Sequence, residues 1–196
     1  MDKIIELLRE SGALLEGHFL LSSARHSDKY FQCAKLLQHP KKAEKAFENV
    51  TASIKNDINN GKLKIDVVAG PAMGGIIASY EIARQLDLPS IFTERDENGK
   101  MTLRRGFELK KGDNVLIVED VVTTGKSSLE CAAVLETFGA VVSALACVVD
   151  RRTDEANDIP WPVYPAVKIK AVSWEASVCE LCKQGIPFIK PGSRKI

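Results

Sequence analysis

The sequence predicts an α/β fold with a central, mainly parallel sheet flanked by helices, and three observations carry that prediction. Short unbroken apolar runs, V-L-I-V at 115–118 and A-L-A-C-V-V at 144–149, have the length of strands buried on both faces. Two strand-like segments end in small-residue turns that open helical patterns, G-P-A-M-G-G at 70–75 and T-T-G-K-S-S at 123–128. Apolar stripes at helical spacing alternate with these strands, as in successive βα units. At 196 residues the chain fits one domain, 1–196, with room for a proper core.

Taken in order, residues 2–11 place Ile4, Ile5, Leu7 and Leu8 among charges before Gly12, a short amphipathic helix with no assigned chemistry. Residues 17–34 (G-H-F-L-L-S-S-A-R-H-S-D-K-Y-F-Q-C-A) read as two short strands about a polar turn at 23–28. Their cluster of Arg25, His26, Lys29, Tyr30 and Phe31 fits two descriptions. It has the cations and aromatic faces that an aromatic base bearing a carboxylate would want, and it also fits a solvated hairpin with two packed aromatics. Residues 39–58 form a helix with Pro40 in its first turn and a stripe of Ala43, Ala46, Phe47, Val50, Ile54 and Ile58.

Residues 65–86 are a strand–turn–helix unit in which Gly70, Gly74 and Gly75 surround Pro71, a turn whose amides suit a pyrophosphate. The strand at 89–93 leads into E-R-D-E-N-G-K-M-T-L-R-R-G-F (94–107), a charged hairpin or loop turning at Asn98-Gly99 and suited to a mobile lid. Gly139 stops the helix that follows position 125, and a buried strand then runs to Arg151. After a polar loop at 153–162, A-V-K-I-K-A-V (166–172) reads as a last strand by alternation.

Composition excludes several functions. Against 27 basic residues stand 26 acidic ones, net +1, which gives no electrostatic case for nucleic acid or an anionic membrane. No apolar run approaches a membrane span and the first residues lack a signal peptide's apolar segment. Five cysteines, odd in number and mostly scattered, fit free thiols in a reducing, cytoplasmic setting. Cys179-x-x-Cys182 has metal-ligand spacing, but no second Cys or His pair in the sequence pattern completes four ligands, so it reads as a thiol pair.

The chemistry concentrates in N-V-L-I-V-E-D-V-V-T-T-G-K-S-S at 114–128. Glu119 and Asp120 fall at a strand's carboxyl end, where open α/β sheets place ligands. The turn that follows opens a helix, whose free N–H groups and dipole favour a phosphate. Thr123, Thr124, Ser127 and Ser128 add hydroxyl donors, and Gly125 lets the backbone approach closely. Acids beside a phosphate cradle fit ribose hydroxyls or a magnesium ion held between them. Gly125-Lys126-Ser127 imitates the end of a P-loop, yet that motif needs glycine at position 120, which is aspartate.

This stretch resembles the 5-phosphoribosyl-1-pyrophosphate (PRPP) motif of the type I phosphoribosyltransferases. With 17–32, G-P-A-M-G-G-I (70–76), F-T-E-R-D (92–96), V-V-D-R (148–151) and the tail C-E-L-C-K-Q-G-I-P-F-I-K-P-G-S-R, nearly the whole chain is similar to the orotate phosphoribosyltransferases. The resemblance implies that fold, a small hood from the first ~35 residues and part of the tail, and a mobile loop. It implies transfer of the phosphoribosyl group from PRPP to orotate, giving orotidine 5'-monophosphate and pyrophosphate in pyrimidine biosynthesis.

By the same resemblance, Glu119, Asp120, Val121, Val122, Thr123, Thr124, Gly125, Lys126 and Ser127 bind PRPP, and Thr123 and Arg151 meet orotate. Arg95 and Lys100 belong to a catalytic loop that closes over pyrophosphate, donated by the neighbouring subunit of a homodimer. Magnesium (Mg2+) is carried mainly by PRPP, with Glu119 and Asp120 nearby and no direct protein ligand. Ser22 and Met73-Gly74 stand where many relatives carry a lysine and a Tyr-Lys pair. Two rivals share the motif: a purine phosphoribosyltransferase and a PRPP-sensing regulator. The regulator would need a DNA-binding segment for which the chain has no signal.

Overall fold

The computed structural model describes residues 3–21, 23–152 and 159–191. Ser22, most of the polar loop (153–158) and the G-S-R of the tail lie outside the described residues. In chain order the elements are α1 (Lys3–Glu10), β1 (Leu14–Leu20), β2 (His26–Phe31), α2 (Ala34–Leu37), α3 (Pro40–Asn59), β3 (Val67–Pro71), α4 (Gly74–Leu86), β4 (Ser90–Arg95) and β5 (Met101–Leu103). There follow β6 (Asn114–Val122), α5 (Lys126–Thr137), β7 (Val141–Asp150), β8 (Val163–Lys168), β9 (Ser173–Trp174), a 3-10 turn (Ala176–Val178) and α6 (Glu180–Lys183).

Six strands form the main sheet in the order β5-β4-β3-β6-β7-β8, parallel throughout except for the β4–β5 hairpin. The α/β class read from the apolar runs is the observed one. Alternate residues of β6 serve opposite faces: Leu116 and Val118 join the core beneath α3 and α4, while Val115 and Ile117 join the core beneath α5. Phe47 and Ile54, both inaccessible to solvent, anchor the long stripe of α3, and Pro40 occupies its first turn.

The last sheet strand differs from expectation. It starts at Val163 and ends at Lys168 rather than running from 166 to 172. Pro165 hides this strand from pattern reading, yet β8 pairs only with β7 at the sheet's edge, where a missing N–H is tolerated. Ser173 and Trp174 instead pair with β2, completing a small antiparallel sheet β1-β2-β9.

Connectivity positions the site. From β3 the chain moves to β4 on one side, then returns to place β6 on the other, so strand order reverses between β3 and β6. Ligands of open α/β sheets bind beyond the carboxyl ends of strands at such a switch point. The turns after β3 and after β6 flank it.

Candidate active site

Glu119 and Asp120 lie three and two residues from the end of β6, in a stretch whose neighbours in β7 run from Cys147 to Asp150. Glu119 is 9 % exposed, and burial together with the adjacent acid Asp120 pushes its carboxyl up to about 8. Burial also raises Asp120, although its Oδ1 accepts a 2.8 Å hydrogen bond from the Val121 N–H. Two buried acids side by side gain from hydroxyl donors or a cation supplied by a ligand. The residues present therefore fit a substrate-borne magnesium ion.

Val121 and Val122 finish the strand, Val122 buried and Val121 half-buried. Thr123 and Thr124 are exposed in the turn, and Gly125 caps α5 with φ +74°. A Cβ at Gly125 would lie 2.7 Å from Ile159 Cδ1, so space and backbone both demand glycine. Residues 121–128 line with Glu119 a small cavity of about 60 Å³. The hydroxyl of Ser128, buried in that wall, has no hydrogen-bond partner within the protein. A small polar cavity with free donors at a helix start matches the size and chemistry of a phosphate group.

The glycine turn after β3 meets this site directly. A Cβ on Gly74 would stand 2.5 Å from Asp120 Oδ1, and one on Gly75 2.7 Å from the Val118 carbonyl. These glycines let the start of α4 pack onto the end of β6, bringing the two turns together. The contact between Gly74 and Asp120 has no signature in sequence; only the adjacency of β3 and β6 reveals it. The turn contains a cis peptide at Ala72-Met73.

Arg151 follows β7, and its N–H donates to the Val122 carbonyl at 2.8 Å, which fixes it beside the PRPP-type turn. Its guanidinium lies 5.1 Å from the centre of the Phe31 ring, and its buried Nε has no partner within the protein. Burial lowers its pKa and the nearby Asp28 carboxylate raises it. A half-buried arginine with an unmet donor is suited to an anionic group of a ligand.

The Arg25–Phe31 cluster divides between two tasks. Phe31 underlies Arg151, and Tyr30 lies near enough to Asp120 that burial and that charge raise its pKa. Lys29 pairs with Asp28 at 2.6 Å. Arg25 turns away to Glu175 and donates to the Ser173 carbonyl at 2.8 Å, while His26 is buried against the C-terminal segment. Neither expected description covers all five.

Arg95 and Lys100 do not join the other site residues within this chain. Arg95 ion-pairs with Glu130 of α5 and donates to the Gly99 carbonyl at 2.7 Å. With Lys100 it lines a separate, larger cavity of about 630 Å³ between the β4–β5 hairpin and α5. Size does not mark the reaction centre here: that cavity contains neither Glu119 nor Arg151.

Over residues 37–178 the chain matches the family model of the phosphoribosyl transferase domain. A protein from Caldicellulosiruptor bescii named orotate phosphoribosyltransferase is 45% identical over 194 residues, 99% of this chain and 98% of that one. The chain belongs to the orotate phosphoribosyltransferase family. Among solved structures, orotate phosphoribosyltransferase from Aeropyrum pernix superposes with a TM-score of 0.71 at 24% identity, covering 93% of this chain and 98% of that one. Adenine phosphoribosyltransferase from Thermoanaerobacter pseudethanolicus gives 0.57 at 17% identity, covering 72% and 88%. The fold is thus common to orotate and adenine enzymes, and sequence over the full length separates the orotate phosphoribosyltransferase family from the purine alternative.

Proposed function

We infer that this pentosyltransferase moves the 5-phosphoribosyl group of PRPP onto orotate, releasing pyrophosphate and orotidine 5'-monophosphate. The observation that carries the reading is Arg151, held on Phe31 with an unmet donor beside the turn formed by residues 119–127. A cation there suits the orotate carboxylate, and the adjoining turn suits the ribose 5-phosphate.

In the reaction a ring nitrogen of orotate forms a bond to ribose C1 as the bond from C1 to pyrophosphate breaks, and the proton on that nitrogen passes to the departing pyrophosphate or to solvent. The electron pair leaves with pyrophosphate. No protein nucleophile is needed, so positioning and electrostatics supply the acceleration. Glu119 and Asp120 accept hydrogen bonds from the ribose hydroxyls. Backbone N–H groups and hydroxyls of Thr123, Thr124, Ser127 and Ser128 hold the 5-phosphate, with Lys126 adding charge. Thr123 also meets orotate. Glu119 and Asp120 would lie near a Mg2+ ion carried by PRPP, which would supply positive charge toward the pyrophosphate.

Arg95 and Lys100 provide the remaining cations by acting across a homodimer, each hairpin closing over the neighbour's site. Exposed Met73, just before α4, and Ile77 and Tyr80 on it follow helical spacing and offer an apolar face for the second copy. The small β1-β2-β9 sheet serves as the hood over the base. No helix among the described residues is long and apolar enough to cross a membrane, and the unpaired thiols of Cys33, Cys131 and Cys147 suit the reducing cytoplasm.

The test mixes the protein with PRPP and magnesium and follows loss of orotate absorbance, with hypoxanthine, adenine and uracil in parallel. Turnover of orotate alone is expected. Turnover of a purine instead, or PRPP binding without turnover of any base, would overturn the reading.

A further inference from the structure

We propose that His18, His26, Cys179 and Cys182 form a structural zinc site that fastens the C-terminal segment to the β1–β2 hairpin. Their ligand atoms all lie within 4.8 Å of one another. Cys179 Sγ is 3.4 Å and Cys182 Sγ 3.9 Å from His18 Nε2, while Cys182 Sγ is 3.3 Å and His18 Nε2 2.7 Å from His26 Nδ1. With Zn–N of about 2.0–2.1 Å and Zn–S of about 2.3 Å, a tetrahedral site has edges of roughly 3.3–3.8 Å. Two of these three nitrogen–sulfur separations have that size and the third lies just beyond it, while the nitrogen pair at 2.7 Å must open to admit the ion.

The protonation pattern points the same way. His18 Nδ1 lies 2.7 Å from the Ile186 carbonyl, which only accepts, so this nitrogen carries the proton. With that proton on Nδ1, Nε2 is the nitrogen that faces His26 and the two sulfurs. A ligating histidine fixed through its other nitrogen by a backbone carbonyl is the usual outer support of a zinc centre. His18, His26 and Cys179 are 3, 4 and 1 % exposed, so these ligand atoms are shut off from water and face one another. Zn2+ displaces one proton from each thiol, and two thiolates with two neutral imidazoles leave the buried centre without net charge.

Sequence pattern alone missed this set because the histidines sit eight residues apart. They belong to adjoining antiparallel strands, where His26 faces Leu20 in register and His18 lies within the irregularity between Glu16 and Phe19. The thiols arrive some 160 residues later, with Cys179 at the start of α6. The strand contact continues past them: Ile189 donates to the His18 carbonyl at 2.8 Å and Leu20 to the Ile189 carbonyl at 2.9 Å. All four residues lie outside 37–178, the part shared with the general phosphoribosyltransferase family, and the site stands independently of the reaction proposed above.

The full chain, purified under reductant without chelator, is measured by elemental mass spectrometry, and apo protein is titrated with Co2+. One zinc per chain, a tetrahedral cobalt spectrum with thiolate charge-transfer bands, and release of about two protons per metal near neutral pH are expected. Cys182→Ser, at the exposed ligand, is expected to weaken zinc binding at least about 100-fold while the chain stays folded. Wild-type protein that takes up no stoichiometric zinc under reductant, an octahedral cobalt spectrum, or a Cys179–Cys182 disulfide persisting under reductant would each overturn the proposal.

Discussion

The guanidinium of Arg151 rests 5.1 Å from the centre of the Phe31 ring, so a cation at the end of β7 is seated on an aromatic face supplied by the β1–β2 hairpin. This contact joins the sheet that carries the PRPP-type turn to the smaller sheet. It also leaves the Arg151 Nε unpaired within the protein. Arg151→Ala is therefore expected to weaken orotate binding by about 2–4 kcal/mol, roughly 30- to 1,000-fold, because a carboxylate loses its fork partner. PRPP affinity should change little. Phe31→Leu keeps the charge and should cost orotate only about 0.5–2 kcal/mol. Calorimetric titration with each substrate checks both; equal losses for orotate and PRPP would remove Arg151 from the base pocket.

Glu119 gives the site a pH signature. Burial and the adjacent Asp120 push its carboxyl up from the ordinary glutamate value of 4.5 to about 8. Between those values the folded chain holds a proton that the unfolded chain has released. Raising pH through this window therefore favours unfolding, and the contribution present at low pH is lost by about pH 8. Thermal melts of the ligand-free protein should fall over that range more steeply than those of Glu119→Gln. The difference is expected to reach a few kcal/mol at most, at about 1.4 kcal/mol per pH unit. Parallel melting curves for the two proteins would mean that Glu119 is ionised before substrate arrives.

Gly125 and Gly74 test the close approaches that shape the cradle. Gly125→Ala places a side chain in the left-handed region and against Ile159, and should cost about 1–3 kcal/mol of stability together with most PRPP affinity. Gly74→Ala drives a methyl group into the Asp120 carboxylate. It should lower PRPP affinity with a smaller effect on orotate. Denaturant melts and PRPP titration separate these effects, and a Gly74→Ala protein with unchanged PRPP affinity would exclude Asp120 from the ribose site.

Much of this could be read before folding. The apolar run at 115–118, the acids after it and the glycine that caps α5 are local in sequence, and their physical meaning needs no distant partner. Pro40 at a helix start and the stripe on α3 are equally local. What stayed hidden depends on neighbours far along the chain. Pro165 obscured β8 because an edge strand tolerates proline where a central one would not. The Gly74–Asp120 approach needs β3 beside β6, and the four residues His18, His26, Cys179 and Cys182 need both ends of the chain. Arg25 and His26, grouped by sequence with Tyr30 and Phe31, proved to meet the C-terminal segment because they lie at the end of β2 that pairs with β9, while Tyr30 and Phe31 lie at its other end.

Arg95 offers the sharpest test of assembly. Within its own chain it is bound to Glu130 and lines a cavity apart from the Glu119–Ser127 turn, and the proposed function has it act on pyrophosphate at another copy's site. Arg95→Ala and Glu119→Gln proteins should each be nearly inactive. Mixed and allowed to exchange subunits, half of the dimers become hybrids, and each hybrid holds one site with Glu119 from one chain and Arg95 from the other. About a quarter of all sites are then intact, and activity should recover toward roughly a quarter of wild type. Lys100→Ala should complement Glu119→Gln in the same way but should not complement Arg95→Ala, since both changes strike the same donated hairpin. Recovery is read by orotate turnover after incubation, with native mass spectrometry counting hybrid dimers. Hybrids formed without recovered turnover would place Arg95 outside the shared site.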